Sequence, residues 1–168
     1  MERRGFVRDH FCVKSADGRF GVSVADQQMK SLIEFCRRNY PMETGGILVG
    51  HYTADLSLAV VTKVVSSPED SAGSRSSFRR GVHGLQKLLI RMWPNGQYYL
   101  GEWHFHPDGP ARPSRVDDGQ MVEVANSIGY RCPEPLLLIV AGKPPTEFEI
   151  QTFVFVRGST CRVELRRA

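Results

Sequence analysis

The chain has 168 residues, 41% of them hydrophobic and 24% charged, which fits one globular domain over 1–168 with a core of useful size. Its formal net charge of +4, with arginine pairs at 3–4, 79–80 and 166–167, follows no nucleic-acid motif, so a solvated basic surface is expected and no specific nucleic-acid partner. No apolar run approaches the roughly 18 to 20 residues of a membrane span, and the opening MERRGFVRDHF lacks an apolar signal core, so a cytoplasmic protein with no membrane partner is expected.

Residues 10–24 read as one or two strands broken at Ala16-Asp17-Gly18, and 25–39 read as a helix with Met29, Leu32, Ile33 and Cys36 on its apolar face, stopped by Pro41. Two strands, 45–52 and 58–66, are expected to form a hairpin. The Ser-, Gly- and Arg-rich stretch 68–80 reads as a mobile loop whose Arg75, Arg79 and Arg80 either stay in solvent or line a groove for an acidic or extended protein tail. A second helix is expected over 81–93, with Leu85, Leu88, Leu89 and Met92 inward and Pro94-Asn95-Gly96 ending it. A strand over 98–106 and a helix over 114–128 follow, the helix with Val116, Val122, Val124 and Ala125 among its apolar positions. Closing strands are expected at 136–141, 148–156 and 160–165. The alternation predicts an α/β fold, a mixed sheet flanked by helices. Cys12, Cys36, Cys132 and Cys161 form no CxxC pair and read as free thiols, mostly buried.

The stretch HFHPDGPARPSRVD carries the chemistry. Side chains alternate along a strand, so His104 and His106 project from one face, where two imidazoles can grip one ion. Hydrolytic zinc commonly takes three protein ligands and leaves a fourth position open, and Asp117 is the expected third. Ser114 and Asp117 also read as a helix start, with Ser114 at the N-cap and Asp117 three residues on in a capping-box pattern. The two readings are compatible, because a helix N-terminus would carry both residues to the histidines. A hydrolase also needs a proton carrier, and Glu43 in PMETGGILVGHY is the candidate. Gly45 and Gly46 after it permit either a close backbone approach or a plain bend. Glu102 shares the histidine face and is either a hydrogen-bond acceptor for a ligand imidazole or a solvated strand residue. Trp103 and Phe105 should face the core, while Asp108 and Asp118 read as loop and helix-surface carboxylates.

Glu43, His104-x-His106-Pro107, Ser114 and Asp117 together resemble the JAMM motif of the JAB1/MPN/Mov34 metallopeptidases, with every motif position present. ETGGILVG resembles that family's glutamate strand. GEWHFHPDG resembles a bacterial branch that accompanies ubiquitin-like conjugation, within which the deconjugating peptidases of type II CBASS anti-phage operons are the nearest match. The resemblance spans roughly residues 20–160. It implies an MPN-like fold, Zn2+ held by His104, His106 and Asp117, Glu43 as general base and then acid, and Ser114 as hydrogen-bond donor to the oxyanion. It also implies a zinc isopeptidase acting on the C-terminal tail of a ubiquitin-like protein or of a conjugated CBASS nucleotidyltransferase. The alternatives are a peptidase that releases a sulfur-carrier protein and a non-catalytic MPN scaffold, though scaffolds usually lose ligands.

Overall fold

The computed structural model describes residues 10–145 and 148–167, and Arg3-Arg4 with most of the amino-terminal segment lies outside them. Apolar alternation broken by a turn yields strands β1 (Phe11–Lys14) and β2 (Gly21–Val24), and helix α1 (Asp26–Asn39) buries Leu32 and Cys36. Strands β3 (Thr44–Tyr52) and β4 (Leu58–Val64) pair antiparallel, as their turn predicts. The 68–80 stretch, expected to be a mobile loop, instead holds a short hairpin of β5 (Ala72–Gly73) and β6 (Phe78–Arg79). Side chains fasten its base: the Asp70 carboxylate accepts from the N–H groups of Val82 and His83, and Ser71 Oγ accepts from Gly81 N–H at 2.8 Å.

Those contacts also delay the next helix. Helix α2 runs Leu85–Met92, four residues later than the periodicity predicts, because Gly84 at its N-cap has φ 75° and the preceding amides are taken by Asp70. Strand β7 (Tyr98–Pro107) and helix α3 (Arg115–Asn126) follow, then β8 (Leu136–Gly142), β9 (Glu149–Phe155) and β10 (Arg162–Leu165).

Eight strands form one mixed sheet in the order β1-β2-β4-β3-β7-β8-β9-β10, with the β2–β4 and β7–β8 pairs parallel and the others antiparallel. The predicted α/β class, a mixed sheet with helices against it, is what forms. Its two edges also meet, since Lys14 and Arg166 exchange both backbone hydrogen bonds at 2.8 Å. Every strand of the curled sheet contributes to one apolar cluster, which includes Leu48, Trp103, Phe105, Leu138 and the α1 residues Leu32 and Cys36. On the opposite face of the sheet, Leu85 of α2 and Met121, Val124 and Ala125 of α3 pack on Ile47, Val49, Leu137 and Ile139. Central strands β3, β7 and β8 are therefore covered on both sides, which is why they are buried almost throughout, β8 as a continuous apolar run. None of the helices among the described residues is long and apolar enough to cross a membrane.

Two further sequence expectations change. Val116 is 65% exposed, because the buried stripe of α3 runs through Asp117, Met121, Val124 and Ala125 and leaves position 116 pointing outward. Only Cys36 and Cys132 are buried, since Cys12 takes an outward position on β1 and Cys161 lies in the exposed turn before β10.

The two glycines after Glu43 serve close approach. A Cβ on Gly45 would stand 2.7 Å from Phe78 and 2.9 Å from the His104 ring, and one on Gly46 would collide with the Val65 carbonyl, which accepts the Trp103 indole N–H at 2.8 Å. Gly46→Ala is expected to lower stability by about 1 to 3 kcal/mol, the usual cost of overpacking. Denaturant unfolding of the purified variant checks this.

Candidate metal centre

Strand β7 and the first turn of α3 build the centre. His104 and His106 lie on the face of β7 covered by α3, whereas Trp103 and Phe105 are fully buried in the opposite core, as alternation requires. Asp117 heads the inward stripe of α3, so the periodicity that packs this helix also turns a carboxylate toward the histidines. One ligand atom each from His104, His106 and Asp117 fall within 4.8 Å of one another. Asp117 Oδ1 is 2.9 Å from His104 Nδ1, and its Oδ2 is 3.5 Å from His106 Nε2.

A capping box fixes Asp117. Ser114 N–H donates to Asp117 Oδ2 at 2.7 Å, and Asp117 N–H donates to Ser114 Oγ at 3.1 Å. The helix-start reading of this pair holds, and the residue that closes the cap also faces the imidazoles. His106 Nδ1 faces the Pro110 carbonyl at 3.4 Å, which orients the second ring.

Glu43 precedes β3, whose Thr44 pairs with Phe105 and Gly45 with His104, so register carries its backbone level with His106. Burial pushes the Glu43 carboxyl above the ordinary carboxylate range, opposed by the neighbouring histidines and reinforced by Asp117. Its N–H donates to the Ser74 carbonyl of the β5–β6 hairpin at 2.7 Å, so the hairpin abuts the site. Phe78 of that hairpin meets the His104 ring edge-on with centroids 5.7 Å apart.

Burial opposes a charge on His104, but the Asp117 and Glu102 carboxylates on its two sides outweigh it and raise its pKa to about 9. Asp117 is held far below the ordinary range, because hydrogen bonds to the two histidines overcome its burial. Two imidazoles and an ionised carboxylate converging on one point are the donor set of a hydrolytic zinc site, so the residues fit that ion.

Glu102 is buried rather than solvated, 6% exposed, with Oε2 3.6 Å from His104 Nε2. The other expectations separate. Arg75 and Arg79 stay in solvent, but Arg80 turns inward to pair with Glu102 at 2.9 Å. Asp108 lies exposed in the loop and accepts from Tyr40 OH, and Asp118 pairs with Arg162 on the helix surface. Sequence reasoning did not anticipate Phe78 or Tyr130, whose approach depends on contacts distant in the chain, or Tyr99, which a register shift against β3 turns onto the Glu102 face.

With this geometry in place, residues 26–155 match the model of the family described as prokaryotic homologs of the JAB domain. The chain belongs to this JAB family. It is 37% identical over 139 residues to a "CD-NTase/cGAS isopeptidase" of Enterobacter hormaechei subsp. hoffmannii, an alignment covering 83% of this chain and 77% of that one. It is also 26% identical over 127 residues to the "Probable metalloprotease y4qB" of Sinorhizobium fredii, covering 73% and 77% respectively. The solution structure of protein DSY2949 from Desulfitobacterium hafniense superposes with a TM-score of 0.63 at 22% identity, covering 85% of this chain and 88% of that one, a likeness of fold. The JAB match takes in β3, β7 and α3 and therefore includes every residue of the centre.

Proposed function

We propose that this JAB-family protein is a zinc-dependent isopeptidase that cuts the bond after the C-terminal tail of a conjugated protein, with a CBASS nucleotidyltransferase as the favoured substrate. The convergence of His104, His106 and Asp117 within 4.8 Å, with Glu43 at the head of the neighbouring strand level with His106, carries the reading. The relative named as a CD-NTase/cGAS isopeptidase supports the substrate class.

In this reading His104, His106 and Asp117 hold the zinc. When bound, the ion supplies Lewis acidity, polarising the scissile carbonyl and lowering the pKa of water from about 15.7 towards about 7. Glu43 takes a proton from the attacking water as its oxygen bonds to the carbonyl carbon. The same carboxyl then delivers that proton to the amine nitrogen as the C–N bond breaks, so the products are a free tail carboxylate and a free amine. Ser114 Oγ accepts from Asp117 N–H, which leaves its own O–H free to donate to the developing oxyanion at the helix N-terminus.

Ser114→Ala is expected to lower kcat about 10²-fold with little change in KM, since the donor acts on charge that exists only in the transition state. Lost capping should cost about 1 kcal/mol in addition. Steady-state kinetics alongside thermal unfolding separates the two effects.

Strand addition by the tail is constrained by topology. β7 lies between β3 and β8, and β3 between β7 and β4, so neither active-site strand offers a free edge. The β5–β6 hairpin beside Glu43 is a separate two-stranded sheet and supplies the edge on which an extended tail can pair through main-chain hydrogen bonds. Two substrates test the reading in parallel: an amine conjugate of the nucleotidyltransferase tail, and a sulfur-carrier protein fused through its C-terminus to a reporter. Preferential cleavage of the first after the last tail residue is expected. Preference for the second supports the sulfur-carrier alternative, and cleavage of neither leaves the scaffold.

A further inference from the structure

A buried polar chain outside the candidate ligands reaches His104 from behind. A one-residue register shift between Leu48 and Val49 opposite β7 places Tyr99 on the same face as Glu102, around Gly101, whose φ of 151° suits glycine. Tyr99 OH stands 3.3 Å from Glu102 Oε1, and Arg80 Nη2 donates to the same oxygen at 2.9 Å. Arg80 Nη2 also meets Tyr130 OH at 2.9 Å, and its Nη1 donates to the Gly81 carbonyl at 2.8 Å. Arg80 and Glu102 side chains are only 10% and 8% exposed. The free Oε2 of Glu102 faces His104 Nε2 at 3.6 Å, while His104 Nδ1 faces Asp117.

We infer that Glu102 is a positioning residue for His104, and that Arg80, carried in by the β5–β6 hairpin, locks Glu102 in place. This rests on the proposed metal site. A histidine that gives one nitrogen to a metal keeps its proton on the other, and a carboxylate accepting that proton fixes the ring's tautomer and orientation and strengthens the ligand. Glu102 occupies that place. Its Oε1 is held by two donors, so rotation of the carboxylate away from His104 breaks contacts with both Tyr99 and Arg80. A buried Arg–Glu pair is not in general a packing necessity, because apolar side chains of similar volume commonly replace such pairs without loss of stability. The same arginine lies two residues after Phe78, which packs on the His104 ring, so the hairpin and the residue leaving it support the ligand from two directions.

The test measures zinc affinity by competition with a chromophoric chelator, and unfolding midpoints of the metal-free proteins, for wild type, Glu102→Gln, the double variant Arg80→Met/Glu102→Leu, and His104→Ala. Removing both charges together leaves neither one orphaned, which keeps the double variant folded. The expected result is zinc affinity 10- to 100-fold weaker in the double variant, the usual size of an outer-shell effect, with the metal-free midpoint lowered only by the small cost of the unpaired Tyr99 hydroxyl. Glu102→Gln should also weaken zinc binding, because its single acceptor oxygen is required by Arg80 and Tyr99 and its amide N–H then faces the His104 Nε2 side. Wild-type affinity in the double variant overturns the inference, as does a loss matched by an equal fall in the metal-free midpoint. If His104→Ala itself binds zinc like wild type, the ligand set fails instead, so the two failures are distinguishable.

Discussion

Replacing Glu43 with glutamine is expected to reduce conjugate cleavage by about 10²- to 10⁴-fold, the range of a positioned general acid–base, while zinc content stays at the wild-type level. The amide has nearly the same shape but cannot take the proton of the attacking water. That loss corresponds to about 3 to 5 kcal/mol of transition-state stabilisation. Glu43 lies outside the His104, His106 and Asp117 cluster, and its position depends on backbone contacts, the hydrogen bond to Ser74 and the β3–β7 register, which the substitution leaves intact. KM should therefore move little, and metal content measured on the same preparation distinguishes idle chemistry from an empty site.

The second large effect concerns His104. His104→Ala is expected to bind little zinc and to show no cleavage, because one of the three proposed ligands is gone. It should also destabilise the metal-free protein. The imidazole sits between Asp117 and Glu102, and its raised pKa of about 9 means that it is protonated near neutral pH and offsets both buried carboxylates. A folded pKa above the unfolded value contributes stability that is complete below about 6.5 and is lost as pH rises through about 9. The metal-free wild type should thus lose about 3 kcal/mol between pH 6 and pH 10 from this group. His104→Ala should lack that slope. Chemical unfolding of chelator-treated proteins across this pH range measures both.

Legibility in the sequence followed the range of the interactions. The α1 stripe, the buried runs of β3, β7 and β8, and the capping box at Ser114 and Asp117 are local patterns, and each appears where the residues imply it. The shared face of His104 and His106 follows from alternation alone. By contrast, β5 and β6 are two residues each within a polar stretch, so they carry no periodicity, and tertiary contacts to Glu43 and Asp70 define them. The delayed start of α2 came from competition for its first amides. Val116 followed the apolar composition of α3 but not its facing, since Asp117 rather than a hydrophobe begins the buried stripe. Alternation placed Glu102 on the histidine face yet gave no partner for it, and Arg80, 22 residues earlier, is reached only once the hairpin folds back.

Zinc dependence of cleavage is measured by titrating zinc into chelator-stripped wild-type protein while following conjugate cleavage. No cleavage is expected at the start, followed by a rise that breaks at one zinc per chain, with no such recovery for His104→Ala. Full cleavage by the stripped protein, or recovery in His104→Ala that matches wild type, would contradict it.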